Sequence, residues 1–329
     1  MLDAFSDVVA VLRNDSGSQR SLVMIGPEWD GGTKADEAIL RIPTNNAWVV
    51  VRTAVENSRD LAEAQGLQRA FVIEPGASSR SDPAFGMRIP SRPNGEQFLT
   101  VVNAALASGP LPQIHAERLA CFESAGLSSG ARDAEVKLDP AMLRAWDANI
   151  ADFYDEAGRA LETAGSLHFG WRYPASNLAE FGTDDVYRTA IALGGLAALP
   201  VREAINPVAY VDAEGFRLTG ASQYRLQIPG KVPVDGFWSL TLYESDGAGR
   251  WFLYRNPIER YSMGSASSGL KRSRDGALLV DIAHTRPAHA ENWLPAPNGQ
   301  FLLVFRAYRP QDPFINGTFR LPPIGRVNE

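Results

Sequence analysis

The residues with the clearest capacity for chemistry lie in one short segment, Asn256-Pro-Ile-Glu-Arg-Tyr261. Arg260 stands directly beside an aromatic residue in this segment. A guanidinium held next to an aromatic ring can bind a carboxylate or a phosphate through two parallel hydrogen bonds. We therefore take Arg260, Tyr261 and Asn256 as candidate ligand-binding residues. The alternative is that Arg260 pairs with a nearby carboxylate and braces a loop.

Two further candidates lie on predicted strands. Arg306 is on the same face of the apolar run 301–308 as Tyr308, and Tyr243 ends the alternating run 237–243. An arginine on an otherwise apolar face must be paired or must line a cavity. Arg306 and Tyr243 are therefore candidate ligand-binding residues that could line a pocket between sheets or at a domain junction. Structural pairing of Arg306 is the alternative.

Two other groupings carry weaker signals. A metal ion could use four polar side chains of one segment, namely Asp281, His284, His289 and Glu291. A metal site normally needs three or four ligands with orienting partners, and Pro287 predicts an irregular loop here, so we expect structural or surface histidines and no metal. Cys121, the single cysteine, lies six residues from His115, a weak hint of a nucleophile. No phosphate loop, dinucleotide fingerprint or metalloprotease motif occurs, and we expect no cofactor.

Composition limits the partners. The chain has 329 residues, a net charge of −6 and no run of basic residues, which argues against a nucleic-acid partner. No apolar run approaches the ~20 residues of a membrane span. Residues 1–14 lack the basic start and cleavage pattern of a signal peptide. The chain as written is therefore expected in the cytoplasm, and in an exported form if a start with a signal peptide lies upstream.

The elements that must position the candidates change in type along the chain. Residues 1–75 are predicted to form short strands, including a buried one at Trp48-Val49-Val50-Val51, and a helix capped by Asn57 or Ser58. Residues 76–200 are predicted to be a linker and a helical connection. Residues 201–329 alternate apolar and polar side chains between glycine-containing turns, which is typical of an antiparallel β-sandwich or jelly roll. The fold class is thus mainly β with a helical linker (α+β).

Two helices are predicted in the connection. Asp139-Pro140 begins one that runs over 139–164 between the two β regions. Its apolar residues recur every three or four positions and are expected to be buried. They are Trp146, Ile150, Phe153 and Leu161. A second helix is expected from a cap at Thr183 to Leu199.

Three blocks in the last third of the chain carry a family resemblance. They are Pro233-Val-Asp-Gly-Phe-Trp-Ser-Leu-Thr-Leu-Tyr243, the segment 256–264, and Glu291-Asn-Trp-Leu-Pro-Ala-Pro297. In order and spacing they resemble a widespread bacterial domain of unknown function, DUF1214, over about residues 203–325. The segments 25–31 and 42–53 resemble the last strands of its partner domain, DUF1254. The early strands of DUF1254 have no counterpart, so we expect a truncated N-terminal domain.

The resemblance implies two β-rich domains joined by helices, frequent oligomers and no established activity, so fold is settled better than function. We expect a homo-oligomer. One functional hypothesis is binding of a small polar, anionic or sugar-like ligand near the domain junction. A second is a hydrolase or lyase on such a substrate, using Arg260 and Tyr261 with a carboxylate such as Asp235. A third is a structural or assembly protein of the cell envelope.

Overall fold

The computed structural model describes residues 1–13, 21–32, 38–53, 55, 59–76, 90, 92–128, 139–247 and 249–327. The predicted caps Asn57 and Ser58 lie outside these residues, as does most of the predicted loop 76–97. The chain divides into two compact units. Unit 1 comprises Met1–Glu162 and Glu180–Ala197, and unit 2 comprises Thr163–Ala179 and Ala198–Glu329. The chain therefore passes from one unit to the other three times.

Unit 1 combines short strands with helices. Its strands are β1 Leu2–Asp3, β2 Val23–Ile25, β3 Ile39–Arg41 and β4 Ala47–Trp48. Its helices are α1 Leu61–Ala70, α2 Gly95–Leu106, α3 Gln113–Leu119, α4 Pro140–Thr163 and α5 Asp185–Gly194, and a 3₁₀ helix spans Ala120–Ala125. Strand β1 pairs antiparallel with β4, and β2 pairs parallel with β3.

Local side-chain caps explain where α2 and α4 begin. Asn94 accepts a hydrogen bond from the Gln97 backbone N–H at 2.8 Å, while the Gln97 side chain accepts one from the Asn94 N–H at 3.1 Å. This capping box satisfies two donors that the first turn of α2 leaves open. Asp139 accepts from the Ala141 N–H at 2.9 Å, which confirms the predicted start of α4.

Three expectations for unit 1 are wrong. The Trp48–Val51 segment is not a buried strand, because only Trp48 belongs to the short strand β4 and both end residues are 48% exposed. Phe153 is exposed, because its ring lies edge-on against Trp146 on the helix surface, with 6.0 Å between ring centroids. Helix α5 is capped by Asp184, whose carboxylate accepts from the Tyr187 N–H. The helix ends at Gly194, well before Leu199. Gly194 and Gly195 have no side chains, so they add nothing to the apolar face of the helix.

Unit 2 is built from strands. They are β5 Ser166–His168, β6 Trp171–Tyr173, β7 Ala204–Ile205, β8 Val208–Ala209, β9 Gln223–Ile228, β10 Trp238–Ser245, β11 Trp251–Leu253, β12 Ser262–Gly264, β13 Leu278–Ala283, β14 Trp293–Pro295, β15 Phe301–Tyr308 and β16 Gly325–Val327. The four-residue helix α6, Asp312–Ile315, is the one α-helix in the described residues after 203. The prediction of a strand-rich C-terminal region is therefore confirmed.

These strands form two sheets. The large sheet has the order β11-β10-β15-β8-β6-β5, with β12 also on β10 and β7 also on β15. The small sheet has the order β14-β13-β9-β16 and is antiparallel except for the β13–β14 pair. The central pair β10–β15 is joined in register over seven residues.

Both sheets contribute to one apolar core. On β10 the side chains of Trp238, Leu240 and Leu242 are at most 5% exposed, as their alternation predicts. Leu226 and Val280 of the small sheet are fully buried in the same cluster. Unit 2 is thus a β-sandwich, and the fold class predicted from the sequence is confirmed. The jelly-roll connectivity stays a prediction. No helix among the described residues has the length and apolarity to cross a membrane.

Candidate functional site

Arg306 and Tyr243 meet on the large sheet of unit 2. Arg306 is paired with Ser239 across the β10–β15 ladder, one position from the buried Phe305, so it points away from the core. Its guanidinium donates a hydrogen bond to the Tyr243 hydroxyl at 2.9 Å, and its central carbon lies 5.6 Å from the Tyr243 ring centroid. The tyrosine thus holds the charged group both by its hydroxyl and by the face of its ring.

Within the part of the chain that the structure describes, the Arg306 guanidinium has no acidic partner. Among the described residues it forms no ion pair, although its side chain is half-buried. The registers of β7 and β8 against β15 place Asn206 level with Arg306. Asn206 Oδ1 is buried and has no hydrogen-bond partner in the described part of the chain. A half-buried cation and a spare acceptor therefore lie at the same level of the ladder.

Asn256 and Arg260 are also brought together, but as a loop brace. The Asn256 side chain donates to the carbonyls of Tyr254 and Arg260 and accepts from the Arg260 N–H, all at 3.0 Å. The Arg260 guanidinium donates to the Trp293 carbonyl at 3.0 Å. Because Trp293 belongs to the small sheet and Arg260 precedes a strand of the large one, this bond ties the two sheets at one edge of the sandwich.

The remaining candidates of unit 2 do not join either pair. The Tyr261 carbonyl accepts from the Leu242 N–H at 3.2 Å, and its hydroxyl makes no hydrogen bond within the described ranges. Asp235 accepts from the Gln311 side chain at 2.6 Å. In the described part of the chain, no hydrogen bond or ion pair links the Arg306 pair to Arg260 or to Asp235.

The histidine segment is likewise engaged in structure. Asp281 is buried and accepts from the Arg225 guanidinium at 2.9 Å. A ring nitrogen of His284 lies 2.9 Å from the Ala296 carbonyl oxygen, while His289 and Glu291 are exposed. No group of three or more metal-ligating side chains is assembled among the residues that the structure describes.

Unit 1 contains a cluster of charged residues around a cavity of about 170 Å³. Arg188, only 9% exposed, donates to Asp7 at 2.7 Å and to the Phe5 carbonyl at 2.6 Å. Arg118 forms a close ion pair with Asp185 at the exposed side of the cluster. All except Asp7 line the cavity.

His115 forms one wall of this cavity. Its ring stacks on Phe5 with 3.8 Å between centroids. Burial, and secondly the positive charge of Arg188, hold the pKa of His115 below its ordinary value of 6.5. The imidazole is therefore neutral at pH 7. Cys121 is exposed and makes no hydrogen bond with His115 in the described chain.

This cluster is not predicted from the sequence, because its members are far apart in the chain. Asp7 and Arg188 are 181 residues apart. The one local signal was the spacing of Asp185 and Arg188 on a predicted helix, where residues three apart share a face. The fold brings the remaining members together.

The fold is that of a two-unit α+β protein with a C-terminal β-sandwich. Residues 203–312 match the family model described as "Protein of unknown function (DUF1214)", and residues 1–75 match "Protein of unknown function (DUF1254)". The chain thus belongs with the DUF1254/DUF1214 proteins, as its motifs predict.

Similarity to one solved structure supports the fold alone. The VPA0106 protein from Vibrio parahaemolyticus is 19% identical, with a TM-score of 0.58 over 93% of this chain and 75% of that one. A putative uncharacterized protein from Burkholderia cenocepacia is 16% identical, with a TM-score of 0.30 over 65% of this chain and 50% of that one. No curated protein matches the chain.

Proposed function

We propose that the protein binds a small anionic or polyhydroxylated molecule on the large sheet of unit 2, at Arg306. One observation carries the proposal: a half-buried guanidinium, fixed by Tyr243, has no carboxylate partner among the described residues. A cation withdrawn from water without a counter-charge is costly. A carboxylate or phosphate of a ligand supplies that charge and accepts from the donors that Tyr243 leaves free.

The chemistry beside Arg306 supports a ligand that also carries hydroxyl groups. Asn206 Oδ1 is an acceptor without a donor in the described part of the chain, and it is level with Arg306 on the ladder. A hydroxyl group can satisfy it by donating a hydrogen bond. Arg306, Tyr243 and Asn206 are the residues of this proposed site, whereas Asn256, Arg260 and Tyr261 lie outside it.

The hydrolase or lyase hypothesis has less support. It needs Arg260, Tyr261 and Asp235 to converge on a substrate. Arg260 is committed to the Trp293 carbonyl, and Asp235 is held by Gln311. The assembly hypothesis is favoured by one observation, the filled interior of the sandwich, where many side chains of the core cluster are fully buried.

Binding of inorganic phosphate to the full chain tests the proposal. We expect saturable phosphate binding by calorimetry, and its loss in Arg306→Gln. Tyr243→Phe keeps the ring but removes the hydroxyl that orients the guanidinium, and we expect about fivefold weaker binding, the equivalent of one net hydrogen bond. The Tyr243→Phe variant thus keeps the charge of Arg306 and measures how much the orientation of its guanidinium adds to the affinity for phosphate.

The matched control is Arg225→Gln. Arg225 is a half-exposed arginine of the small sheet that already pairs with Asp281. This variant should bind phosphate as the parent chain does. Equal losses in Arg306→Gln and Arg225→Gln would indicate nonspecific charge attraction and would overturn the proposal, as would the absence of saturable binding.

A further inference from the structure

The cavity of unit 1 has the size and lining of a small-molecule site. Its volume of about 170 Å³ is close to the ~150 Å³ of an engineered cavity that holds benzene. Most of its wall is apolar, formed by Phe5, Leu106, Leu111, Leu119 and Phe122. The stacked rings of Phe5 and His115 give one side a flat aromatic surface. A compact apolar group, such as a six-membered ring, fits this lining.

The charged residues of the cluster are paired, two arginines with two aspartates. Arg118 and Arg188 contribute two positive charges and Asp185 contributes one negative charge, while Asp7 lies outside the lining and is bound by Arg188. Asp7 also accepts from the Phe181 backbone N–H at 2.6 Å, so it is not available to the cavity. The cluster is therefore neutral as it stands, and a ligand carboxylate can bind Arg118 only if Asp185 turns to another donor.

Asp185 stands between the two arginines and satisfies only one. It pairs closely with Arg118, and both side chains are nearly half exposed, at 43% for Arg118 and 49% for Asp185. Its other oxygen lies 3.8 Å from Arg188 Nε, beyond hydrogen-bonding distance. Arg188 Nε is buried and has no hydrogen-bond partner among the described residues. A small rotation of Asp185 away from Arg118 would satisfy this donor.

We infer that the unit 1 cavity binds a small monocarboxylate with a compact apolar group, whose carboxylate takes Arg118 while Asp185 turns to Arg188 Nε. The ligand's apolar group fills the space beside Phe5 and His115. Binding then adds a bidentate pair at Arg118 and completes the hydrogen bonds of Arg188, so the exchange leaves no charged group without a partner.

Titration of the full chain with benzoate, followed by calorimetry, tests this inference. We expect saturable binding of benzoate and at least tenfold weaker binding of benzamide, which has the same shape without the charge. Arg118→Gln should weaken benzoate binding at least tenfold. Asp185→Asn should strengthen it severalfold, because it removes the carboxylate that competes for Arg118. A merely structural role for the ion pair predicts weaker binding in both variants.

The controls separate this site from the one proposed on unit 2. Arg69→Gln, on the exposed last turn of α1, and Arg306→Gln should both leave benzoate binding unchanged. Phosphate binding at Arg306 should in turn survive Arg118→Gln, so either site can fail alone. Equal affinity for benzoate and benzamide, weaker binding in Asp185→Asn, or no saturable benzoate binding would each overturn the inference. Circular dichroism of each variant confirms that it is folded.

Discussion

Two arginines of unit 2 that each have a tyrosine nearby in the sequence play different structural roles. Arg260 and Arg306 both stand near tyrosines. The Arg260 guanidinium donates a hydrogen bond to the Trp293 carbonyl. The Arg306 guanidinium bonds to Tyr243 through one nitrogen, and its other N–H groups have no partner among the described residues. The partner of Arg260 comes from another sheet, 33 residues further along the chain. Residue type alone therefore identifies the candidates, and only the tertiary contacts separate a brace from a binding group.

His115 predicts a pH dependence for the stability of unit 1. Its native pKa is lowered by burial and by Arg188, with a smaller effect of Arg118, against the opposing charges of Asp7 and Asp185. The unfolded chain takes up the proton as the pH falls through 6.5, whereas the native state does so only at lower pH. Stability should therefore fall as the pH is lowered below 6.5.

Urea unfolding between pH 8 and pH 5, followed by tryptophan fluorescence, measures this slope. His115→Gln cannot take up the proton in either state, so its stability should decline less steeply over the same range. The difference between the two curves isolates His115 from the other titrating groups. Parallel curves for the two chains would show that His115 titrates equally in the native and unfolded states, contrary to the prediction.

At the scale of elements, strands were predicted better than burial. The strands of unit 2 repeat every second residue, and because one face of each meets the other sheet, the alternation reports burial directly. On α4 the spacing located the helix correctly, yet Phe153 is exposed, because periodicity does not say how much of a face is covered. The divisions at 75/76 and 200/201 stay predictions.

Two glycines test how closely the helices of unit 1 pack. A Cβ on Gly95, at the start of α2, would lie 2.6 Å from the Cβ of Trp146 on α4, whereas Gly158 in the interior of α4 has open space. Gly95→Ala should destabilise unit 1 by about 1–3 kcal/mol through overpacking. Gly158→Ala should stabilise it by about 1 kcal/mol, since alanine loses less freedom in a helix.

Chemical denaturation of both alanine variants provides the measurement. The two substitutions add the same methyl group, so any general effect of alanine cancels in the comparison. Stabilisation by Gly95→Ala would mean that α2 does not lie against α4 at Trp146. The Gly95 N–H donates to Asp147 at 2.7 Å, so a displaced α2 should also lose this bond.

At the scale of the molecule, unit 1 carries apolar side chains in water. Strand β1 pairs with β4, so the N-terminal segment does reach the Trp48 strand, but Trp48 is still 48% exposed. Leu67 and Phe71, four residues apart at the end of α1, are 60% and 49% exposed. Large apolar side chains exposed in this number are candidates for an association surface. We therefore expect a homodimer at micromolar concentration.

Light scattering during size-exclusion chromatography tests for the dimer. The parent chain should give a mass near twice 35.8 kDa. Leu67→Glu with Phe71→Glu should give the monomer, because burying two carboxylates in an interface is costly. Phe252→Glu, on an exposed phenylalanine of unit 2, is the control and should leave the mass unchanged. A monomeric parent chain would reject association.

The three passages of the chain between the units govern the order in which the protein can be made. Strands β5 and β6 leave the ribosome before α5, yet they belong to the sheet of unit 2, whose central strands are synthesised later. Unit 1 is incomplete until Arg188 has been synthesised, because Arg188 is the buried counter-ion of Asp7. When residues 163–179 of unit 2 have been synthesised, unit 1 still lacks residues 180–197. During synthesis there is therefore a stage at which both units are incomplete. A gene cut anywhere between residues 163 and 197 therefore leaves both units interrupted.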